Sequence, residues 1–310
     1  MMGACISSEK LDPLPKPELP KPEARKPAKV LLLGSPDSGR TTVLKQMQLI
    51  HHLSFSQEDI ESQRQLIFSN LTHGLAWVIR AAKNMGLEVA PQNRHLLSLL
   101  CAADDINDYE PYPIEYYEVL KRLWEDPNVQ VAYACANEAA LQDNLLYYYA
   151  HLDRLFKRSY VPTEEDILHS YVRTTGISEN MFSLRGHDVV MVDAGGRKSE
   201  RKKWIHYFKM NPTCVLFVVS LSGYDQYCLI EDMCMNQVVE AMILWMSICR
   251  TRWLENTPIV LFLNKDDLFE RKIQTSHIKD YFSASAISLF VGRVSTAYHG
   301  PPSGVRWPAM

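Results

Sequence analysis

The 310-residue sequence contains no apolar run as long as the roughly 18–20 residues of a membrane span. Its most apolar stretches, "CVLFVVSL" and "IVLFL", have the length of strands. Seven cysteines (5, 101, 135, 214, 228, 234 and 249) include no C-x-x-C pair and form no even framework. With no secretory signal either, reduced intracellular thiols are expected. There is also no excess of one charge: 33 Lys and Arg stand against 36 Asp and Glu, a formal charge of -3. A global basic footprint is absent, so nucleic acid is not the default partner. No internal repeat is visible. A 46% apolar composition over this length is enough for real cores, in one large domain or two ordinary ones.

The N-terminus carries two local features. "MGACISS" from Met2 fits the M-G-x-x-x-[ST] acceptor for myristate on Gly3, with Cys5 beside it for palmitate. One acyl chain anchors marginally and two anchor stably, so the pair implies a membrane surface, the cytoplasmic face of the plasma membrane. Gly3 is exposed only if translation starts at Met2 or both methionines are removed; the bland alternative is a frayed terminus. Residues 12–27, "DPLPKPELPKPEARKP", hold six prolines among charges, which reads as an extended, solvated linker.

After the linker, KVLLL (29–33) reads as a buried strand and 40–53 as a helix. From about 57 to 165 the pattern is helical, with Leu66, Leu71, Leu75 and Val78 on one face and proline breaks at 91, 111, 113 and 127. Strand signals return at "DVVMVDAGG" (188–196), "TCVLFVVSL" (213–221) and "TPIVLFLNKDD" (257–267), with a helix over 231–254. Strands alternating with helices imply a mostly parallel, doubly wound sheet, here with an all-helical block inserted into an α/β domain.

Three motifs end three of these strands. In "GSPDSGRT" the strand leads into G-x-x-x-x-G-[basic]-[ST] and then a helix, the context of a phosphate-binding loop. Gly34 and Gly39 let backbone N–H groups point inward, Arg40 would reach the β/γ oxygens, and Thr41 would offer a hydroxyl to Mg²⁺. Pro36 removes one donor, and Arg40 puts a larger planar head where lysine is usual. Asp193, followed by Gly195-Gly196, puts a carboxylate at a strand end, able to hold Mg²⁺ through water, and a glycine N–H within approach of a γ-phosphate. "NKDD" (264–267) offers a carboxylate that can accept both guanine N1–H and N2–H, with Asn264 on the base edge and the Lys265 stem over its face. Singly, the last two could be polar turns.

The segments "LLLGSPDSGRTTVLKQMQLIH", "YVPTEEDILHSYVRTTGI", "DAGGRKSERKKWIHYF", "FVVSLSGYDQ" and "FLNKDDLFERKI" resemble a heterotrimeric G-protein α subunit over about 29–280. The resemblance implies a Ras-like P-loop GTP-binding domain with an inserted all-helical domain, binding GTP or GDP with Mg²⁺. It divides the chain into a lipid-anchor candidate and linker (1–28), Ras-like parts (29–56 and 166–280), a helical domain (57–165) and an atypical tail (281–310). It puts Thr41 and Thr174 on Mg²⁺, with Asp193 reaching it through water, Gly196 on the γ-phosphate, and Asn264, Lys265 and Asp267 on guanine. Nucleotide contacts are further implied for Gly34, Asp37, Ser38, Gly39, Arg40, Thr42, Leu168, His169 and Tyr171, and for Asp143 and Asn144 where the helical domain approaches. The implied partners are a βγ dimer, a receptor and an effector.

Departures from the family pattern bear on chemistry. Where the family has R-V-K-T-T this chain reads "YVRTT", with Tyr171 on the arginine position and Arg173 on the lysine. Where it has D-V-G-G-Q-R the chain reads "DAGGRK", with Arg197 on the water-positioning glutamine. A supplied arginine is worth ~10³–10⁵ in rate in such sites, so hydrolysis should be impaired. An ordinary slow GTPase drawing on Arg173 or a partner arginine is one alternative; a truncated, poorly folded fragment is another. The long N-terminal helix that binds βγ is replaced by the proline-rich stretch, whereas the basic "SERKKW" (199–204) of the partner-facing switch is intact. The last 28 residues lack the family's final strand and receptor-facing helix. Leaving a few hundred Å² of sheet uncovered would forfeit on the order of 10 kcal/mol at ~25 cal/mol/Å², so poor stability is expected.

Overall fold

The computed structural model describes residues 26–51, 55–103, 106–135, 143–172, 174, 176–227 and 235–282. The proposed acylation sites at Gly3 and Cys5, the proline-rich linker up to residue 25, Arg173 and the tail from 283 lie outside them. The described chain begins with strand β1 (Ala28–Gly34) and helix α1 (Arg40–Ile50). A helical series follows: α2 (Gln57–Asn84), α3 (Leu96–Cys101), α4 (Glu115–Trp124), α5 (Pro127–Ala134), α6 (Leu145–Ala150), α7 (Leu152–Leu155) and α8 (Glu164–His169). The chain then returns to sheet with β2 (Ile177–Leu184) and β3 (His187–Ala194), α9 (Lys198–Arg201), α10 (Trp204–Phe208), β4 (Cys214–Ser220), α11 (Gln237–Cys249), β5 (Ile259–Asn264) and α12 (Asp266–Lys272).

The strands form one sheet in the order β2-β3-β1-β4-β5. All neighbours are parallel except β2, which pairs antiparallel with β3. Period-two alternation sorts the side chains. Leu31, Leu33, Val192 and Phe217 face α10 and α11, where Trp204, Phe208, Trp245 and Ile248 cover them. Leu32, Val189 and Met191 point the other way, against Leu44 of α1 and Phe182 of β2. Strand β2 was not legible in the sequence because "ISENMFSL" is half polar; it is an edge strand that buries only Phe182 fully. On β5, Ile259 and Leu261 pack on the α11 side, while Val260, Phe262 and Leu263 are 37%, 41% and 47% exposed.

The helical block has its own core. Helix α2 starts at a reciprocal capping box: the Ser56 hydroxyl accepts from the Asp59 N–H and the Asp59 carboxylate accepts from the Ser56 N–H. Its buried face runs Glu61, Arg64, Phe68, Leu71, Leu75, Val78 and Ala82, spaced three and four apart. Leu66 falls between these rows and is only half-buried; Ile67 and Phe68 take the place expected for it. Pro127 opens α5 rather than breaking a helix, because the first turn needs no N–H there and Asp126 caps it. The Asp126 carboxylate also accepts from the Ala90 N–H and the Asn93 amide.

Where this block returns to the sheet, one carboxylate organises the junction. Asp166 is fully buried and accepts both Arg154 Nη atoms (2.8 and 2.7 Å), the Tyr147 and Tyr160 hydroxyls, and the Thr163 N–H. Burial alone would push its carboxyl up, but the Arg154 fork, the Thr163 N–H and the Tyr147 hydroxyl outweigh it and hold Asp166 well below the usual carboxylate range. A depressed carboxylate adds stability above its unfolded value near ~4 and loses it as pH falls through the folded value. Asp166→Asn is therefore expected to cost about 2–4 kcal/mol at neutral pH. In urea melts, the gap to wild type should narrow as the pH drops below ~4.

Candidate functional site

The carboxyl ends of β1, β3, β4 and β5 meet on one edge of the sheet, and the helical block overhangs it. Between them lies a cavity of about 830 Å³. Its floor is the loop from Gly34 into α1. Asp37 sits at φ 57° and Gly39 at φ 91°, left-handed conformations that turn the chain back over the strand ends. A Cβ on Gly39 would lie 2.1 Å from the Asn264 amide nitrogen, which donates to the Ser38 carbonyl at 2.9 Å. The loop and the end of β5 are thus hooked together. Among the described residues no side chain caps the first turn of α1, so its N–H groups and the helix dipole are available to an anion.

At one end of the cavity Thr41 Oγ1 lies 2.9 Å from Asp193 Oδ2 and 3.0 Å from Thr174 Oγ1. Three oxygen donors thus converge, the hard-ligand chemistry that suits Mg²⁺. Arg40 does not lie out along the loop. Its guanidinium is buried, with Nη1 donating to the Ala194 carbonyl at 2.5 Å and Nε 3.8 Å from Asp193 Oδ1. Burial lowers the Arg40 pKa, opposed by the Asp193 charge; burial raises Asp193, opposed by Arg40 and the Thr41 hydroxyl. Gly196 lies against this guanidinium, and Arg197 also lines the cavity.

The other end is built by β5, α12 and the helical block. Lys265 bridges to Asp143 of the helical block at 2.8 Å. Burial works against both charges, but each partner outweighs it, holding Asp143 low and Lys265 high. Asp267 is exposed and pairs loosely with Arg271 at 3.3 Å. Leu168, His169 and Tyr171 line the side wall, and Tyr147 stacks on His169 with ring centroids 3.8 Å apart. Thr42 also borders the cavity, while Gly34 and Asp193 lie beneath its surface.

Sequence reasoning did not single out two supporting residues, Asn70 and Lys45. Asn70 of α2 clamps the backbone of Tyr171: its Oδ1 accepts from the Tyr171 N–H (2.7 Å) and its Nδ2 donates to the Tyr171 carbonyl (2.8 Å). Asn144 donates to Asn70 Oδ1 (3.1 Å) and to the His169 carbonyl (2.9 Å), joining the same network. Lys45 of α1 donates to the Ile167 and Ser170 carbonyls and to Ser170 Oγ at 2.6–2.9 Å, and burial lowers its pKa to about 8. Polar residues spaced at three and four on an otherwise apolar helix face were the only signal that could have marked Asn70.

Three buried polar atoms around the cavity have no hydrogen-bond partner among the described residues: Ser38 Oγ, Asn144 Oδ1 and Asp193 Oδ1. Unpaired buried polar atoms cost stability, so atoms of this kind at one cleft fit a polar ligand and, at Asp193, a cation. A glycine-rich loop entering a helix, with a carboxylate on the neighbouring strand and a polar pocket beyond, defines a P-loop nucleotide-binding domain.

A family model for the G-protein alpha subunit matches residues 7–297, wider at both ends than the resemblance read over 29–280. The chain is 44% identical over 293 residues to the guanine nucleotide-binding protein alpha-2 subunit of Mycosarcoma maydis, covering 91% of this chain and 82% of the relative. It is 42% identical over 279 residues to the alpha-2 subunit of Neurospora crassa (89% and 74%), and 41% over 253 residues to the G(o) subunit alpha of Locusta migratoria (81% and 71%). This chain belongs to the G-protein α-subunit family, and its fold is the Ras-like domain with an inserted helical domain.

Asn70→Ala should test the clamp on Tyr171. The unpaired groups it leaves are expected to cost about 2 kcal/mol, lowering Tm by ~4–8 °C in a thermal melt.

Proposed function

We propose that this chain is a guanine-nucleotide-binding Gα-type signal transducer that holds its nucleotide with Mg²⁺ and hydrolyses GTP slowly. The observation that carries the reading is the cavity itself, with the loop of Gly34–Thr41, the Thr41, Thr174 and Asp193 oxygens, and Asn264, Lys265 and Asp267 along one wall. The family and the names of the relatives support guanine as the base. Thr41 and Thr174 would hold Mg²⁺, with Asp193 reaching it through water; the ion would neutralise phosphate charge. The first-turn N–H groups of α1 orient the phosphates, and the Asp143–Lys265 bridge closes the helical block over the base.

Slow turnover follows from two side chains. Tyr171 cannot supply a cationic fork to developing phosphate charge, and Arg197 has no acceptor with which to orient an attacking water. As a signal transducer the chain would answer to a receptor and an effector, with "SERKKW" as the partner surface. Acyl chains on Gly3 and Cys5 would hold it at the cytoplasmic face of the plasma membrane.

Fluorescent GTP and ATP analogues separate the bases: tight binding of the guanine analogue alone is expected. Equal affinity would remove the guanine assignment. Asp267→Asn should shift preference toward xanthine, since an amide donates to the extra carbonyl where a carboxylate repels it. In single-turnover assays, Tyr171→Arg combined with Arg197→Gln should raise GTP hydrolysis by orders of magnitude. A wild-type rate that the double change cannot improve would mean another group, Arg173 or a partner arginine, already supplies the charge.

A further inference from the structure

Lys45 carries a buried charge that the nucleotide-binding reading leaves unused. It stands on the second turn of α1, the helix that the phosphate loop enters, and is only 6% exposed. Its Nζ donates to the Ile167 carbonyl (2.9 Å), the Ser170 carbonyl (2.8 Å) and Ser170 Oγ (2.6 Å). An ammonium has three N–H groups, so all of them are used. The two carbonyls stand where α8 ends, and carbonyls there lack regular partners inside the helix. Ser170 Oγ donates in turn to Gln63 Oε1 of α2 (2.5 Å). Among the described residues no carboxylate pairs with Lys45, so carbonyl and hydroxyl oxygens alone hold its charge.

These bonds fix the segment by which the helical block returns to the sheet. Leu168, His169, Ser170 and Tyr171 of that segment line the cavity. Asn70 and Asn144 hold it at Tyr171 and His169, but both belong to the helical block and would travel with it. Tyr171 has no cation through which a phosphate could hold the segment in place. We propose that Lys45 is a positioning residue for nucleotide retention: it pins the return segment to α1, and the cleft opens only when its three bonds break. The inference rests on the nucleotide-binding reading above. Hydrogen bonds to a charged group are the strong ones, and a buried ammonium stripped of its acceptors is costly. The Lys265–Asp143 bridge at the base end is 24% and 26% exposed, and pairs open to solvent contribute less. Most of the resistance to opening therefore comes from the Lys45 side.

The test is the dissociation rate of fluorescent GDP from the full chain, followed during a chase with excess unlabelled GDP. Lys45→Met keeps an unbranched side chain and removes every donor. It should release GDP about tenfold or more faster than wild type, with association changed less than about threefold. Lys45→Arg keeps charged donors and should stay within about threefold of the wild-type rate. Val119→Ala, in the core of the helical block, lowers stability without touching the pin and should release GDP at the wild-type rate. An equal acceleration in Val119→Ala would show general loosening and overturn the role given to Lys45. So would a folded Lys45→Met that releases GDP within about twofold of wild type, with nucleotide binding left intact. If Lys45→Met does not fold, as judged by circular dichroism, Ser170→Ala decides, since it removes one acceptor and the link to Gln63. Release about threefold faster supports the pin, and an unchanged rate overturns it. A wild-type chain that binds no GDP would overturn the nucleotide reading as well.

Discussion

Parallel strands all end on the same edge of their sheet, and the site depends on that constraint. Register brings Leu32 of β1 beside Asp193 of β3, Gly34 beside Val218 of β4, and Ser220 of β4 beside Asn264 of β5. Residues more than 220 positions apart in the chain are thereby fixed within hydrogen-bond reach, as with Asn264 and the Ser38 carbonyl. The apolar faces that hold the strands in place are filled by Leu31, Leu33, Val192 and Phe217 on one side and Leu32 and Met191 on the other. Core packing therefore sets the geometry of the cleft before any polar residue acts.

Around that edge the charges are arranged as pairs. Arg40 faces Asp193, Lys265 faces Asp143, Arg201 faces Glu240, and Lys272 faces Asp225. Buried pairs of this kind contribute little net stability, because desolvation offsets the attraction. Their effect is directional: each joins a different pair of elements, and removing one partner strands the other. Arg201 also donates to the Gly196 carbonyl, Trp204 to the Gly195 carbonyl, and Glu200 accepts the Gly176 N–H. The segment after β3 is therefore folded on itself and tied to the residue before β2 and to α11.

Much of this was legible in the chain itself. The strand–glycine loop–helix order, the Asp193 strand end and the NKDD turn are local patterns with local causes, and the long helical stretch announces itself by its period. Other features carry no local signal. Strand β2 alternates poorly because one edge faces solvent, and the Leu66 position depends on which rows of α2 meet the neighbouring helices. Asn70 is an ordinary polar residue until folding places it on the backbone of Tyr171, 101 positions away.

The sequence alone determined the family, the order of the parallel strands and the identity of many of the groups that line the cleft, since spacing and residue type are properties of the chain. The direction in which those groups point was decided by tertiary structure. Read linearly, Arg40 extends along its own loop toward phosphate; folded, it turns to Ala194 and Asp193 on β3, 154 and 153 positions on. A buried guanidinium must find a carboxylate and acceptors, and only the assembled sheet places them within reach.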